Sequence, residues 1–130
     1  CGSIPPMSNE LWRKGALELA GMIARKEVTS REVVSAHLAR IDDVNPRLNA
    51  IVRRLDDTAL AAAEAADRTV AAGGPLGPLH GVPVTVKENI DLAGTPTTQA
   101  VAALAGRGLR ASELSPLASC RFTFWPAHAP

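Results

Sequence analysis

Lys87 holds the position in this 130-residue chain where side-chain chemistry is easiest to imagine. It closes the run Val82-Pro83-Val84-Thr85-Val86 and stands immediately before Glu88, Asn89 and Asp91. The run is apolar and β-branched, and its length suits a buried strand. Open α/β sheets bind ligands at the carboxyl ends of their strands. A lysine entering an apolar strand end loses water, which disfavours its charged form, and a neutral lysine can serve as a general base. The competing assignment is a solvent-exposed lysine that opens a loop or pairs with Glu88. On residue type alone that simpler assignment is favoured, because charges at strand ends are common.

The other reactive side chains are less suggestive. His37 lies beside the apolar face of a helical pattern and reads as a packing or surface residue. His80 sits in a rigid Gly/Pro loop, where a structural hydrogen bond to backbone is expected. His128 falls in an unpatterned tail. Three histidines so far apart, with no supporting Cys or carboxylate spacing, imply no metal site, and no phosphate-binding glycine loop is present. Ser112, Ser115 and Ser119 are the only serines after Lys87, and none lies in a glycine-flanked turn that would expose a nucleophile. Cys1 and Cys120 form no disulfide framework and read as incidental thiols. An N-terminal Cys1 could carry lipid or act as a nucleophile activated by its own amine. The second idea predicts thiol-reagent sensitivity and loss of activity in Cys1→Ala.

The elements that must position these residues follow from patterning. Ser8 or Asn9 can cap a helix running to about Lys26, with Leu17, Ala20, Ile23 and Ala24 at helical spacing and Gly15 and Gly21 weakening it. Thr29-Ser30-Arg31-Glu32 is a capping box. The helix it opens carries Val34, Leu38 and Ile41 on one face, with Arg31, Arg40 and Asp42 towards water, and Asn45-Pro46 stops it. Asn49-Ala50-Ile51-Val52 reads as a short strand. Asp56 or Asp57 caps an alanine-rich helix to Ala72 that contains a Glu64–Arg68 pair at i,i+4, and Gly73-Gly74 ends it. Pro75 to Gly81 is a loop and Val82 to Val86 a buried strand. Helix, helix, strand, helix, strand is an α/β layered order.

Composition narrows the class. Hydrophobic residues make up 46% and charged residues 21%, which is too apolar and too balanced for a disordered chain. The net charge of +1 supplies no electrostatic footprint for nucleic acid or an anionic membrane. No apolar run approaches the roughly 20 residues of a membrane helix. Met7 followed by Ser8-Asn9-Glu10 looks like a natural start. Residues 1–7 are therefore expected to be a vector-derived or upstream segment, and the cytoplasm is the default location.

Several blocks, taken in order, resemble the amidase signature family. Glu27-Val28-Thr29-Ser30-Arg31-Glu32-Val33, Ala39-Arg40-Ile41 and Asn45-Pro46-Arg47-Leu48-Asn49-Ala50 are similar to the N-terminal region of its members. Gly77-Pro78-Leu79-His80-Gly81-Val82-Pro83-Val84-Thr85-Val86-Lys87-Glu88-Asn89-Ile90-Asp91 is closer still, and Gly94-Thr95-Pro96-Thr97-Thr98 follows. The resemblance covers about Leu11 to Leu104, in the family's order and spacing. It departs at Glu88, where the family usually has aspartate.

The resemblance implies an α/β fold: the N-terminal part of the amidase signature fold, with helices packed on a mixed central sheet, incomplete in this chain. It implies amide C–N hydrolysis by a serine, cis-serine and lysine triad, with the lysine at Lys87. Neutral Lys87 would take a proton from a bridging serine, which would deprotonate the serine that attacks the carbonyl. No position here matches either serine, and Arg107 onward no longer resembles the family. Residues 8–106 are thus expected to be the N-terminal portion of an amidase domain. Residues 107–130 would be a flexible, non-family tail of the kind a truncated gene or a frameshift near Gly106 would leave. Alone, the chain is expected to be poorly stable and inactive. The implied partner is a small-molecule amide in a full-length parent, with no cofactor or metal, no nucleic acid and no membrane. The alternative, drawn from another class, is a non-catalytic partner-binding module or a fragment of an amidotransferase subunit.

Overall fold

The computed structural model describes residues 8–87, 90, 95 and 96. A 3-10 helix over Ser8–Arg13 is followed by α1 (Ala16–Ala24), α2 (Ser30–Leu48) and α3 (Asp56–Ala71). The helix α2 is central and packs on both α3 and the 3-10 helix.

The single helix expected from Ser8 or Asn9 to Lys26 is in fact two elements. The Lys14 N–H donates to the Leu11 carbonyl and closes the 3-10 segment. Gly15 then stands extended at φ −69° and ψ 152° as the N-cap of α1, without a side chain to cap it. The buried face is Leu19, Ala20 and Ile23, whereas Leu17 is 75% exposed and Ala24 is exposed. Seven of the nine residues of α1 are apolar, so periodicity alone could not choose between two rotations of the helix. At its end Lys26 adopts φ 60°, and the N–H groups of Lys26 and Glu27 donate to the Ile23 and Met22 carbonyls. This is the paired closure that usually recruits glycine.

The capping box forms as expected. The Glu32 N–H donates to Thr29 Oγ1 at 3.1 Å, and the Thr29 N–H donates to Glu32 Oε2 at 2.8 Å. Pro46 does not stop α2, which runs to Leu48. Proline removes one donor close to the helix end, where the loss is small, and Asn49 closes the last turn in the left-handed region at φ 48°. Its N–H donates to the Asn45 carbonyl at 2.7 Å. The expected Asn49–Val52 strand is absent. The Asn45 side chain instead donates to the Ile51 carbonyl at 2.9 Å and accepts the Ile51 N–H at 2.8 Å, so both backbone groups of Ile51 are already used.

Leu55, and neither Asp56 nor Asp57, is the N-cap of α3; the two aspartates lie in its first turn, where the helix dipole favours negative charge. Ala59, Ala63, Ala66 and Val70 recur on one buried face of small side chains. Glu64 pairs with Arg31 on α2 instead of with Arg68. Gly73, at φ 69°, and Gly74 end the helix by donating to Val70 and Thr69 carbonyls. The main core joins Leu11, Leu19, Ile23, Val33, Val70 and Val82, and a smaller cluster joins Val34, Ala59 and Ala63. Arg40 adds a stack over the Trp12 ring at 4.4 Å, tying the 3-10 helix to α2.

Among the described residues there is no β-strand, only an isolated bridge position at Pro96. Val82 is buried, but Val84 is 45% exposed and Thr85 is exposed, so Val82–Val86 is not the buried strand expected. A strand exists only through ladder hydrogen bonds to a neighbour, and the described residues place none beside this run. The described portion is helical, and the mixed sheet is not formed within it.

Candidate active site

The sequence leading to Lys87 is anchored by a polar node on three elements. Ser30, the first residue of α2, is completely buried. Its hydroxyl donates to the Gly81 carbonyl at 2.7 Å. Its backbone N–H donates to Asp67 Oδ1 on α3 at 2.7 Å, and the Arg31 N–H donates to Asp67 Oδ2 at 3.1 Å. With the Glu32 N–H on Thr29, the donors that open α2 are met by one residue of its own and one from another helix. His80, buried in the turn before Gly81, faces the Ala66 carbonyl through Nε2 at 3.1 Å. A carbonyl only accepts, so Nε2 carries the proton. His80 therefore has the backbone-bonded structural role expected of it.

Gly81 suits its place on two counts. Its φ is +79°, and an added Cβ would sit 3.1 Å from Ile23 Cδ1 and from both Ser30 side-chain atoms. Beyond it the Val82 N–H donates to the Leu79 carbonyl at 3.2 Å, and the Val82 side chain enters the core. Lys87 lies five residues further on, with an exposed side chain. Its carbonyl accepts the Ile90 N–H at 3.0 Å. The desolvation expected of a lysine at a buried strand end is not supplied by the described residues. Glu88, Asn89 and Asp91 lie outside them, as do Cys1, Ser112, Ser115, Ser119, Cys120 and His128.

Two further polar features of the described residues are engaged within the helices and the loop beside them. His37 Nδ1 donates to the Val33 carbonyl one turn back at 2.7 Å. A cavity of about 280 Å³ is lined by Ile41, Asp42, Asn45, Pro46, Asn49 and Arg54. Its charges are already engaged: Arg54 bonds Asp56 at 2.5 Å and also pairs with Asp42. Those hydrogen bonds, the one to Asp56 first, hold the Arg54 pKa above its ordinary value. Among the described residues no group of three or more His, Cys, Asp or Glu is placed to hold a metal ion, and no helix is long and apolar enough to cross a membrane.

Sequence reasoning missed Ser30 and Asp67. The available signal was the redundancy of Ser30: with Thr29 already the cap, a second hydroxyl at the next position has no capping duty. Asp67 gave no signal, because the helix it caps begins 37 residues earlier.

Comparison with known proteins adds the family relationship. The Amidase family model matches residues 32–110. The chain is 48% identical over 93 residues to the indoleacetamide hydrolase of Bradyrhizobium diazoefficiens, covering 72% of this chain and 18% of that one. It is 47% identical over 97 residues to a glutamyl-tRNA(Gln) amidotransferase subunit of Salinispora arenicola, covering 75% and 20%. Among solved structures, a bacterial aryl acylamidase of the amidase signature family superposes with a TM-score of 0.75 at 32% identity, over 85% of this chain and 24% of that chain. The chain spans about a fifth of the length of the curated relatives it matches.

Proposed function

The chain belongs to the amidase signature family, and from that premise we propose that it carries the lysine of an amide-hydrolysing triad, with Lys87 as the base. The observation that supports this most directly is the Gly77–Asp91 block containing Lys87, inside the span matched by the Amidase model. In the proposed reaction, Lys87 Nζ accepts the proton of a bridging serine hydroxyl, and that serine takes the proton of the nucleophilic serine. The nucleophile's Oγ then bonds to the amide carbonyl carbon. Collapse of the tetrahedral intermediate breaks the C–N bond as the leaving amine receives the relayed proton, and water releases the acid from the acyl-enzyme. Backbone N–H groups near the nucleophile hold the oxyanion.

Neither serine is matched in this sequence, so residues 1–130 alone are expected not to turn over amides. Lys87 stands in water in the described structure, and a base needs its ammonium stripped of water. We therefore assign the apolar cover of Lys87, and the strands that would pair with Val82–Val86 in a mixed sheet, to sequence supplied by a complete amidase domain. The substrate class is a carboxamide.

The test is a chimera of the indoleacetamide hydrolase in which residues 8–104 of this chain replace the matched segment. Ammonia release from simple amides is expected, with Lys87→Ala lowering it by about 10²–10⁴-fold. An active chimera indifferent to Lys87→Ala overturns the assignment, and steady ammonia release by the isolated 130-residue chain overturns its inactivity.

A second reading rests on the 47% identity to an amidotransferase subunit. Under it, this chain is a piece of such a subunit whose helical face binds a partner protein without catalysis. A stoichiometric complex that raises the melting temperature of the chain, together with a Lys87-independent chimera, would favour it.

A further inference from the structure

We infer that Ser30 is a positioning residue for Lys87: its buried hydroxyl fixes the point from which the Val82–Lys87 segment leaves the helical core. The inference rests on the reading of Lys87 as the base, but it concerns where that residue is held and not what it does.

Three observations carry it. First, Ser30 has no helix-capping work, because Thr29 provides the cap and Asp67 takes the Ser30 N–H. Alanine at this position would serve α2 equally well. The hydroxyl is spent instead on the Gly81 carbonyl at 2.7 Å. Second, Gly81 combines a positive φ with a close approach to α2, an added Cβ lying 3.1 Å from Ile23 and Ser30, tighter than an ordinary contact. Third, the neighbouring residues on both sides are held independently. His80 is tied to α3 through the Ala66 carbonyl, and Val82 is 4% exposed in the main core. Pro83 then restricts the next step of the backbone. Nothing further along the described segment buries a side chain as deeply before Lys87. The direction of the segment is therefore set at Gly81, and Ser30 is the side chain that holds Gly81 to α2.

The 130-residue chain carrying Cys1→Ser and Cys120→Ser can be spin-labelled at Lys87→Cys and at Ala39→Cys, an exposed position on α2. With Ser30 present, a single narrow distance between the labels is expected. Ser30→Ala is expected to lose that single distance while far-UV helix content holds. In the unlabelled chain it is expected to speed hydrogen exchange at the Val82 amide by about 10- to 100-fold, with exchange inside α2 and α3 unchanged. A merely structural role would accelerate all of these amides together. Ser30→Thr, which keeps the hydroxyl, is expected to retain the narrow distance. A broad distribution with Ser30 present, or one unchanged by Ser30→Ala, overturns the proposal. If Ser30→Ala does not fold, the Val82 amide of the Ser30 chain decides: protection matching α2 supports the inference, and exchange at the unfolded rate overturns it. Because the label replaces the Lys87 side chain, failure here leaves the base assignment to its own test, and failure of the chimera leaves the placement intact.

Discussion

Asp67 caps a helix to which it does not belong: its carboxylate accepts the Ser30 N–H at 2.7 Å, across from α3 to the first turn of α2. Together with the Arg31 N–H on its second oxygen, it joins the two long helices through charge-assisted hydrogen bonds. Such bonds are about twice as strong as neutral ones.

Asp67→Ala is expected to destabilise the chain by about 1–3 kcal/mol, since two donors lose an anionic partner. Thr29→Ala is expected to cost about 1 kcal/mol through loss of the capping box. Because both residues serve the same helix end, a double-mutant cycle read by urea unfolding should depart from additivity by at least about 0.5 kcal/mol. Strict additivity would mean that the two caps act separately.

The rotation of α1 can be tested with two truncations. Ile23 is 1% exposed and Leu17 is 75% exposed. Ile23→Ala is expected to lower stability by about 2–5 kcal/mol, and Leu17→Ala by no more than about 0.5 kcal/mol. A Leu17→Ala cost as large as that of Ile23→Ala in thermal melts would place the apolar stripe where Leu17, Ala20, Ile23 and Ala24 suggest it.

Lys26 occupies the left-handed region at φ 60° with a side chain that has a Cβ. Lys26→Gly relieves that clash and is expected to stabilise the chain by up to about 1 kcal/mol. A drop in melting temperature would show that the lysine side chain contributes more than its backbone geometry costs.

Two exposed carboxylates titrate below their ordinary range. A side-chain hydrogen bond from Arg25 lowers Glu27, and one from Lys14 lowers Glu18. A folded-state pKa below the unfolded value means that the contribution is present above the unfolded pKa. It is lost as pH falls below the ordinary carboxylate value and through the folded one. Arg25→Ala should return the Glu27 midpoint towards the ordinary carboxylate value in an NMR titration. An unmoved midpoint would mean that the Arg25–Glu27 pair is not formed in solution.

Local signals proved legible where the interaction itself is local. Thr29 and Glu32 are three residues apart and form the expected box, and Gly73-Gly74 ends α3 as glycines do. His80 in its Gly/Pro loop bonds backbone as expected. What stayed hidden depends on neighbours distant in sequence. Leu17 and Leu19 are equally apolar, and only the packing of α1 on the core selects between them. Asn49–Val52 has strand composition, but the Asn45 side chain takes the hydrogen bonds a ladder would need. Glu64 has Arg68 one turn ahead and still pairs with Arg31, because α2 and α3 lie side by side. At the candidate site, Lys87 is recognisable from its motif, whereas the Ser30–Gly81 bond spans 51 residues and leaves no spacing to read.

The bracket that Asn45 forms around Ile51 also bears on how copies of this chain behave towards one another. A short β-branched stretch with free N–H and C=O groups is a template for edge-to-edge pairing and aggregation. Here one amide side chain occupies the donor and the acceptor of Ile51 at once, so the place where Asn49–Val52 would recruit a second strand is closed from within. Asn45 thereby engages both backbone groups of Ile51 within its own chain, and the pairing is intramolecular where an exposed strand would seek it from a second copy.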